Sequence, residues 1–245
     1  MFLFRKFWAI YAVVLFLTLM TFSVPVLLFN MLVFRGPKAL RNNIWYLHHV
    51  FTPTFLLLIG IRLQIEGSAH LDPNRSYIIV GNHRSSLDFI VNAAAFPGVY
   101  QYLAKQELMK IPVFGWVVRN MCLIVDRSSA MSRARSVVAI KQQLSAGWSV
   151  FIYPEGSRNA TDAPLAPFYD GAFRIAIQTK APIAVQTIVN IRDVSDSTRF
   201  GELKPGNLRI IWDKPIETAD LQSTHIESLK LEVEAMMRNH LQNEA

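Results

Sequence analysis

No charged residue interrupts the chain from Phe7 to Phe34. At about 1.5 Å of rise per residue, a helix over this stretch is about 42 Å long, more than the roughly 30 Å hydrocarbon core of a bilayer. Such a run reads as a membrane-anchoring helix. Pro25 falls late in it, which leaves two forms open: a single span, or a bent segment that enters and returns on one side. The run is far longer than the apolar region of a signal peptide and no small-residue cleavage pattern follows it, so a retained anchor is expected. Arg5 and Lys6 precede the run, whereas Arg35, Lys38 and Arg41 follow it, a bias that places the rest of the chain on the cytoplasmic face. Trp45 to Ile61 is a second apolar stretch, but His48, His49 and Pro53 leave it too short to span. It is expected to lie on the bilayer or to pack against the first helix. The adjacent His48 and His49 are badly placed to share a metal and read as surface or interfacial residues. Residues 1–61 thus form an anchor and interfacial helical segment, and 62–245 a globular domain.

Within that domain, Arg62 to Gly67 alternates polar and apolar with period two, which marks a first strand. Further strands are predicted at Tyr77–Val80, Leu123–Val125, Val150–Tyr153, Ile183–Val189 and Leu208–Trp212, most of them separated by helical patterns. The predicted fold is α/β, a mixed, mostly parallel sheet covered by helices and preceded by the anchoring segment. Gly147 is placed to end a helix over Ala130–Ala146. Ile226, Leu229, Val233, Met236, Met237 and Leu241 give a closing helix one apolar face. The single cysteine, Cys122, rules out an internal disulfide and reads as a small buried hydrophobe. A net charge of +7 suits anionic partners such as phosphorylated lipids, an acidic membrane surface or an acidic carrier. Much of it lies between Gln101 and Lys141, with no nucleic-acid-binding motif beside it, so nucleic acid is not the expected partner.

The chemistry concentrates at two strand ends. Asn82-His83-Arg84-Ser85-Ser86-Leu87-Asp88 follows directly on Tyr77–Val80. An imidazole held in one tautomer by a carboxylate can accept a proton from a hydroxyl at neutral pH. Five residues are about 140° apart on a regular helix, so His83 and Asp88 meet only if His83 precedes the helix and folds back over its first turn. The competing reading makes Ser85 to Asp88 a capping box and His83 an incidental loop residue. Pro154-Glu155-Gly156-Ser157-Arg158 follows the strand at Val150–Tyr153 in the same way. Glycine at 156 lets backbone approach a ligand, and Arg158 offers a planar fork for a phosphate, with Arg127 as a second phosphate group and Lys105 as a third. Glu155 reads either as a ligand for substrate hydroxyls or as an ion pair with Arg158. In an open α/β sheet, strand ends of this kind converge on one crevice. Nucleophile-elbow, P-loop, dinucleotide-binding and zinc-protease motifs are absent, and no cofactor or metal is expected.

These residues resemble the 1-acyl-sn-glycerol-3-phosphate acyltransferase family over roughly Gly67 to Trp212. The family's first motif, histidine and aspartate separated by four residues, is matched by Asn82 to Asp88. Its second matches Met121-Cys122-Leu123-Ile124-Val125-Asp126-Arg127, with Met121 where a glycine is usual. Its third matches Tyr153-Pro154-Glu155-Gly156-Ser157-Arg158, and Lys105-Gln106-Glu107-Leu108 also looks like the family. A fourth is looser, since Ala181-Pro182-Ile183-Ala184-Val185-Gln186 carries Gln186 where a second proline is common. The resemblance implies an enzyme in which His83 is the base and Asp88 orients it. Glu155, Gly156, Arg158, Arg127 and Lys105 would contact substrate, the third motif contacting the acceptor. It further implies an acyl donor, either acyl-CoA or acyl-carrier protein, a lysophospholipid acceptor in the bilayer, and phosphatidate as product. Two other classes remain open, a non-catalytic module that binds anionic lysolipids and a hydrolase using the same pair.

Overall fold

The computed structural model describes residues 2–125, 130–195, 198 and 201–242, without the side chains at 105, 125 and 130–134. In chain order the elements are α1 (Phe2–Val33), α2 (Pro37–Tyr46), a π-helical turn (Leu47–Phe51), α3 (Thr52–Leu58), β1 (Ile61–Glu66), β2 (Ile78–Gly81) and α4 (Asp88–Ala95). Then follow β3 (Tyr100–Lys105), α5 (Phe114–Met121), β4 (Leu123–Val125), α6 (Ala130–Ser145), β5 (Ser149–Ile152), α7 (Gly171–Thr179), β6 (Ile183–Ile188), α8 (Ile191–Val194), β7 (Gly206–Trp212) and α9 (Ile226–Gln242).

The described strands form one seven-stranded sheet in the order β1-β7-β6-β2-β5-β3-β4. All neighbours are parallel except β6 and β7, so the mixed, mostly parallel sheet read from the pattern is the one formed. Its centre is dry on both faces, and β2 accordingly reads Ile-Ile-Val-Gly with no polar alternation. Alternate side chains enter two separate cores. Ile79, Phe151 and Ala184 pack with Leu56 of α3, with Ile59 just after it, and with Ile90 and Val91 of α4. Ile78, Val80, Val150, Ile152, Ile183 and Val185 pack with α6, α7 and α9, including Phe173, Val233 and Met237.

β2 and β5 lie side by side, yet the chain leaves β2 toward β3 and leaves β5 toward β6, on opposite sides. Their carboxyl ends therefore bound a topological switch point, where α/β sheets open a crevice. β3 was missed by the strand pattern, which skipped from Val80 to Leu123. Its aromatic Tyr100 and Tyr102 follow the turn residues Pro97 and Gly98, and that signal marks it in hindsight.

α1 is one continuous helix of 32 residues, with Pro25 inside it. Among the described residues it is the one helix long and apolar enough to cross a membrane, by length and composition. It does not stand alone. Ala12, Met20, Ser23 and Leu27 form its buried stripe, while Phe22 and Leu32 are 74% and 79% exposed. α2 folds back along it and is pinned by polar contacts: the Ser23 and Tyr46 hydroxyls meet at 3.0 Å, Asn30 donates to Asn43 at 3.0 Å, and Asn43 donates to the Leu27 carbonyl at 3.2 Å.

Further along, the Phe16 ring meets Phe51 and Phe55 edge-on, so the second apolar stretch packs against the first helix as expected. His48 departs from expectation. The π-helical turn rotates it inward against the Tyr100 ring, where it is 6% exposed, and burial holds its pKa down at about 3, with His49 adding repulsion. It is a neutral core residue rather than a surface one. Cys122 is half-buried rather than fully buried as the sequence suggests, and desolvation still pushes its thiol up to about 12.

Candidate active site

Register brings the two motifs together. Val80 of β2 pairs with Ile152 of β5, and His83 and Glu155 each lie three residues further on. Asn82 fixes the first exit, because its side chain donates to the Ile188 carbonyl and accepts from the Ile188 N–H, both at 2.9 Å. His83 then stands ahead of α4, as the 140° argument requires, and its Nδ1 lies 2.9 Å from Asp88 Oδ2. The same oxygen accepts the N–H groups of Arg84 at 2.6 Å and Ser85 at 2.8 Å. Asp88 is the first residue of α4 and is fully buried, so a carboxylate sits where the helix N-terminus favours negative charge. The capping-box alternative is thereby reshaped. Asp88 caps the turn and holds the imidazole with one oxygen, whereas Ser85 Oγ accepts from Leu87 N. The other carboxylate oxygen, Oδ1, has no partner among the described residues. Pinned through Nδ1, the imidazole has Nε2 left for a proton transfer.

The second motif is a tight turn. Gly156 N–H donates to the Tyr153 carbonyl at 3.0 Å, with Pro154 in the position where a fixed φ suits such turns and Gly156 at φ 72. The Gly156 N–H is thus occupied by the turn. Tyr153 stacks on the His83 ring, with centroids 3.8 Å apart. Glu155 departs from the ion-pair reading of it. It is 4% exposed and has no ion pair with Arg158 among the described residues. Its Oε1 accepts His83 N–H and its Oε2 accepts Ala166 N–H, each at 2.7 Å. Burial raises its pKa, and the two N–H groups oppose that rise.

Arg158, in contrast, is exposed and donates to the Ser86 hydroxyl, which closes the gap between the motifs. Arg84 went unassigned by the sequence reading; its guanidinium donates to the carbonyls of Thr161 and Ala163 and so ties the first motif to the loop after the second. Its place inside the first motif was the available signal. Lys105 ends β3, and its side chain lies outside the described residues, as does Arg127 altogether.

Beside this cluster opens a cavity of about 410 Å3. Ser86 and Arg158 line it along with α1 residues Ala12 and Phe16 and with Phe89 and Phe114. The same three phenylalanines also border a separate apolar space of about 90 Å3 that reaches His48 and Cys122. On the other side of the Gly156–Ser157 turn lies a cavity of about 530 Å3 between α6 and α7. A guanidinium at the edge of an apolar chamber, next to a carboxylate-held imidazole, suits a substrate with a charged head and a long chain.

Comparison with known proteins agrees. The model of the acyltransferase family matches residues 62–189, just over half the chain. The chain belongs to the acyltransferase family. Among curated relatives, this acyltransferase is 29% identical over 175 residues to the mouse 1-acyl-sn-glycerol-3-phosphate acyltransferase alpha, covering 70% of this chain and 61% of the relative. It is 28% identical over 188 residues to the Saccharomyces cerevisiae 1-acyl-sn-glycerol-3-phosphate acyltransferase, covering 74% and 60%. The chain thus spans about three fifths of the length of these relatives. Its fold is shared with the crystal structure of the Thermotoga maritima 1-acyl-sn-glycerophosphate acyltransferase, with a TM-score of 0.84 at 22% identity, covering 99% of this chain and 97% of that one.

Proposed function

We propose that this acyltransferase moves a fatty acyl group from a thioester donor, acyl-CoA or acyl-carrier protein, to the free 2-hydroxyl of 1-acyl-glycerol-3-phosphate, yielding phosphatidate. The observation that carries the reading is the His83–Asp88 pair whose intervening Ser86 accepts from Arg158, Ser86 and Arg158 both lining a largely apolar cavity. The names of the curated relatives supply the acceptor.

Asp88 accepts the Nδ1 proton of His83, so Nε2 takes the proton of the acceptor hydroxyl as its oxygen attacks the thioester carbonyl. The tetrahedral intermediate then collapses, the C–S bond breaks, and the thiolate takes the proton back from the imidazolium. No acyl-enzyme forms. Arg158, with Arg127 and Lys105, holds the acceptor phosphate, and the apolar cavity takes an acyl chain. α1 anchors the enzyme on the cytoplasmic face, its exposed apolar side meeting lipid while Ala12 and Phe16 wall the chamber.

The test is His83→Ala on purified protein given acyl-CoA or acyl-carrier protein with a panel of lysophospholipids. Positioned base catalysis is worth about 10² to 10⁴ in rate, so turnover falls by that factor while lysophosphatidate binding persists. Unchanged turnover eliminates His83 as the base. Donor consumption without acceptor, at the full rate, would point to hydrolysis instead.

A further inference from the structure

His83 is held from four directions, and three of the holds come from the Tyr153–Asn159 segment. Asp88 fixes Nδ1. Tyr153 covers one ring face, Glu155 Oε1 accepts the backbone N–H at 2.7 Å, and Asn159 N–H donates to the backbone carbonyl at 2.7 Å. Glu155 is the pivot of this cradle. Its second oxygen, on Ala166 N–H at 2.7 Å, stops the carboxylate from turning toward the crevice. At 4% exposure the carboxylate would reach a substrate hydroxyl only by turning out of its pocket, which breaks one of those bonds. Breaking one leaves a buried donor unsatisfied.

We infer that Glu155 is a positioning residue: it sets the place of His83 through the backbone rather than binding the acceptor. The inference rests on His83 as the base. It also predicts why a carboxylate is required there. A glutamine has one oxygen and one NH2, so whichever N–H meets the NH2 is confronted by another donor.

The experiment compares Glu155→Gln with wild type, with rates measured well below each protein's own melting temperature. The expected result is a kcat lowered roughly 10- to 100-fold, as for a small misplacement of a catalytic group, with KM for lysophosphatidate within about twofold. The proton resonance of the His83 Nδ1–H should shift as well, which loss of stability alone would not cause. A raised KM with kcat retained would make Glu155 an acceptor contact and overturn the inference; so would a kcat loss with the His83 resonance unmoved. Should the variant not fold, amide exchange on wild type decides. Protection at His83 N–H that is unchanged when lysophosphatidate is added supports the inference, and protection that falls overturns it. His83→Ala keeps the two failures apart, because it tests the base and leaves the role of Glu155 untouched.

Discussion

Replacing Asp88 with asparagine separates charge from geometry at this site. One carboxylate oxygen accepts three bonds, from His83 Nδ1, Arg84 N–H and Ser85 N–H, and the other accepts none among the described residues. The two backbone donors demand an oxygen in the shared position, so the amide NH2 goes to the vacant one. The imidazole keeps its tautomer and loses only the countercharge of the imidazolium it becomes. Hydrogen bonds to charged groups are worth about 1.5–3 kcal/mol against about 0.5–1.5 for neutral ones, a difference of about 1–2 kcal/mol. At 1.36 kcal/mol per decade, Asp88→Asn should lower kcat by roughly 5- to 30-fold, with a lowered melting temperature because the NH2 enters a buried position with no acceptor among the described residues. In a serine-protease triad the analogous change costs about 10⁴, because there the ring adopts the wrong tautomer. A loss of that size here would show that the two backbone donors do not fix the amide. No loss at all would show that the charge plays no part. The assay is product formation under saturating donor and acceptor, with a thermal melt alongside.

Two further outcomes follow from the packing. Ala12 of α1 lines the cavity, and Ala12→Trp should displace about three methylenes of a bound chain, at about 0.8 kcal/mol each; kcat/KM for long-chain substrates falls roughly fiftyfold while short chains are spared, and equal loss for both lengths refutes the assignment. His48 refuses a proton when folded until about pH 3, whereas the unfolded chain takes one near pH 6.5. Its contribution to stability is therefore full above pH 6.5 and lost as pH falls toward 3. The loss reaches about 2 kcal/mol by pH 5, and His48→Leu should flatten that part of a melting-temperature profile; an unaltered slope in the variant refutes the account.

The convergence of the two motifs was legible because it depends on register: two apolar strands, each followed by polar residues at equal offset, need only be neighbours for His83 and Glu155 to share a level. The role of Glu155 was not legible, since its partners are backbone N–H groups, and a sequence shows side chains only. The same holds for His48. Its inward turn comes from a local change of helical pitch that no spacing of histidines announces. β3 escaped because its polar Gln101 is buried and Tyr100 and Tyr102 join hydroxyls beneath α4, so neither period two nor a continuous apolar run was present. Lys105 and Arg127 lie where the described side chains stop, and their place in phosphate binding rests on the motif alone.

The helix at the start of the chain is matched to its host by more than greasiness. Its Ser23 and Asn30 each have a named counterpart on α2, and its small Ala12 leaves the hollow that a bulkier residue would fill. A generic hydrophobic tail grafted in its stead would tether the molecule to lipid yet leave the chamber missing a wall.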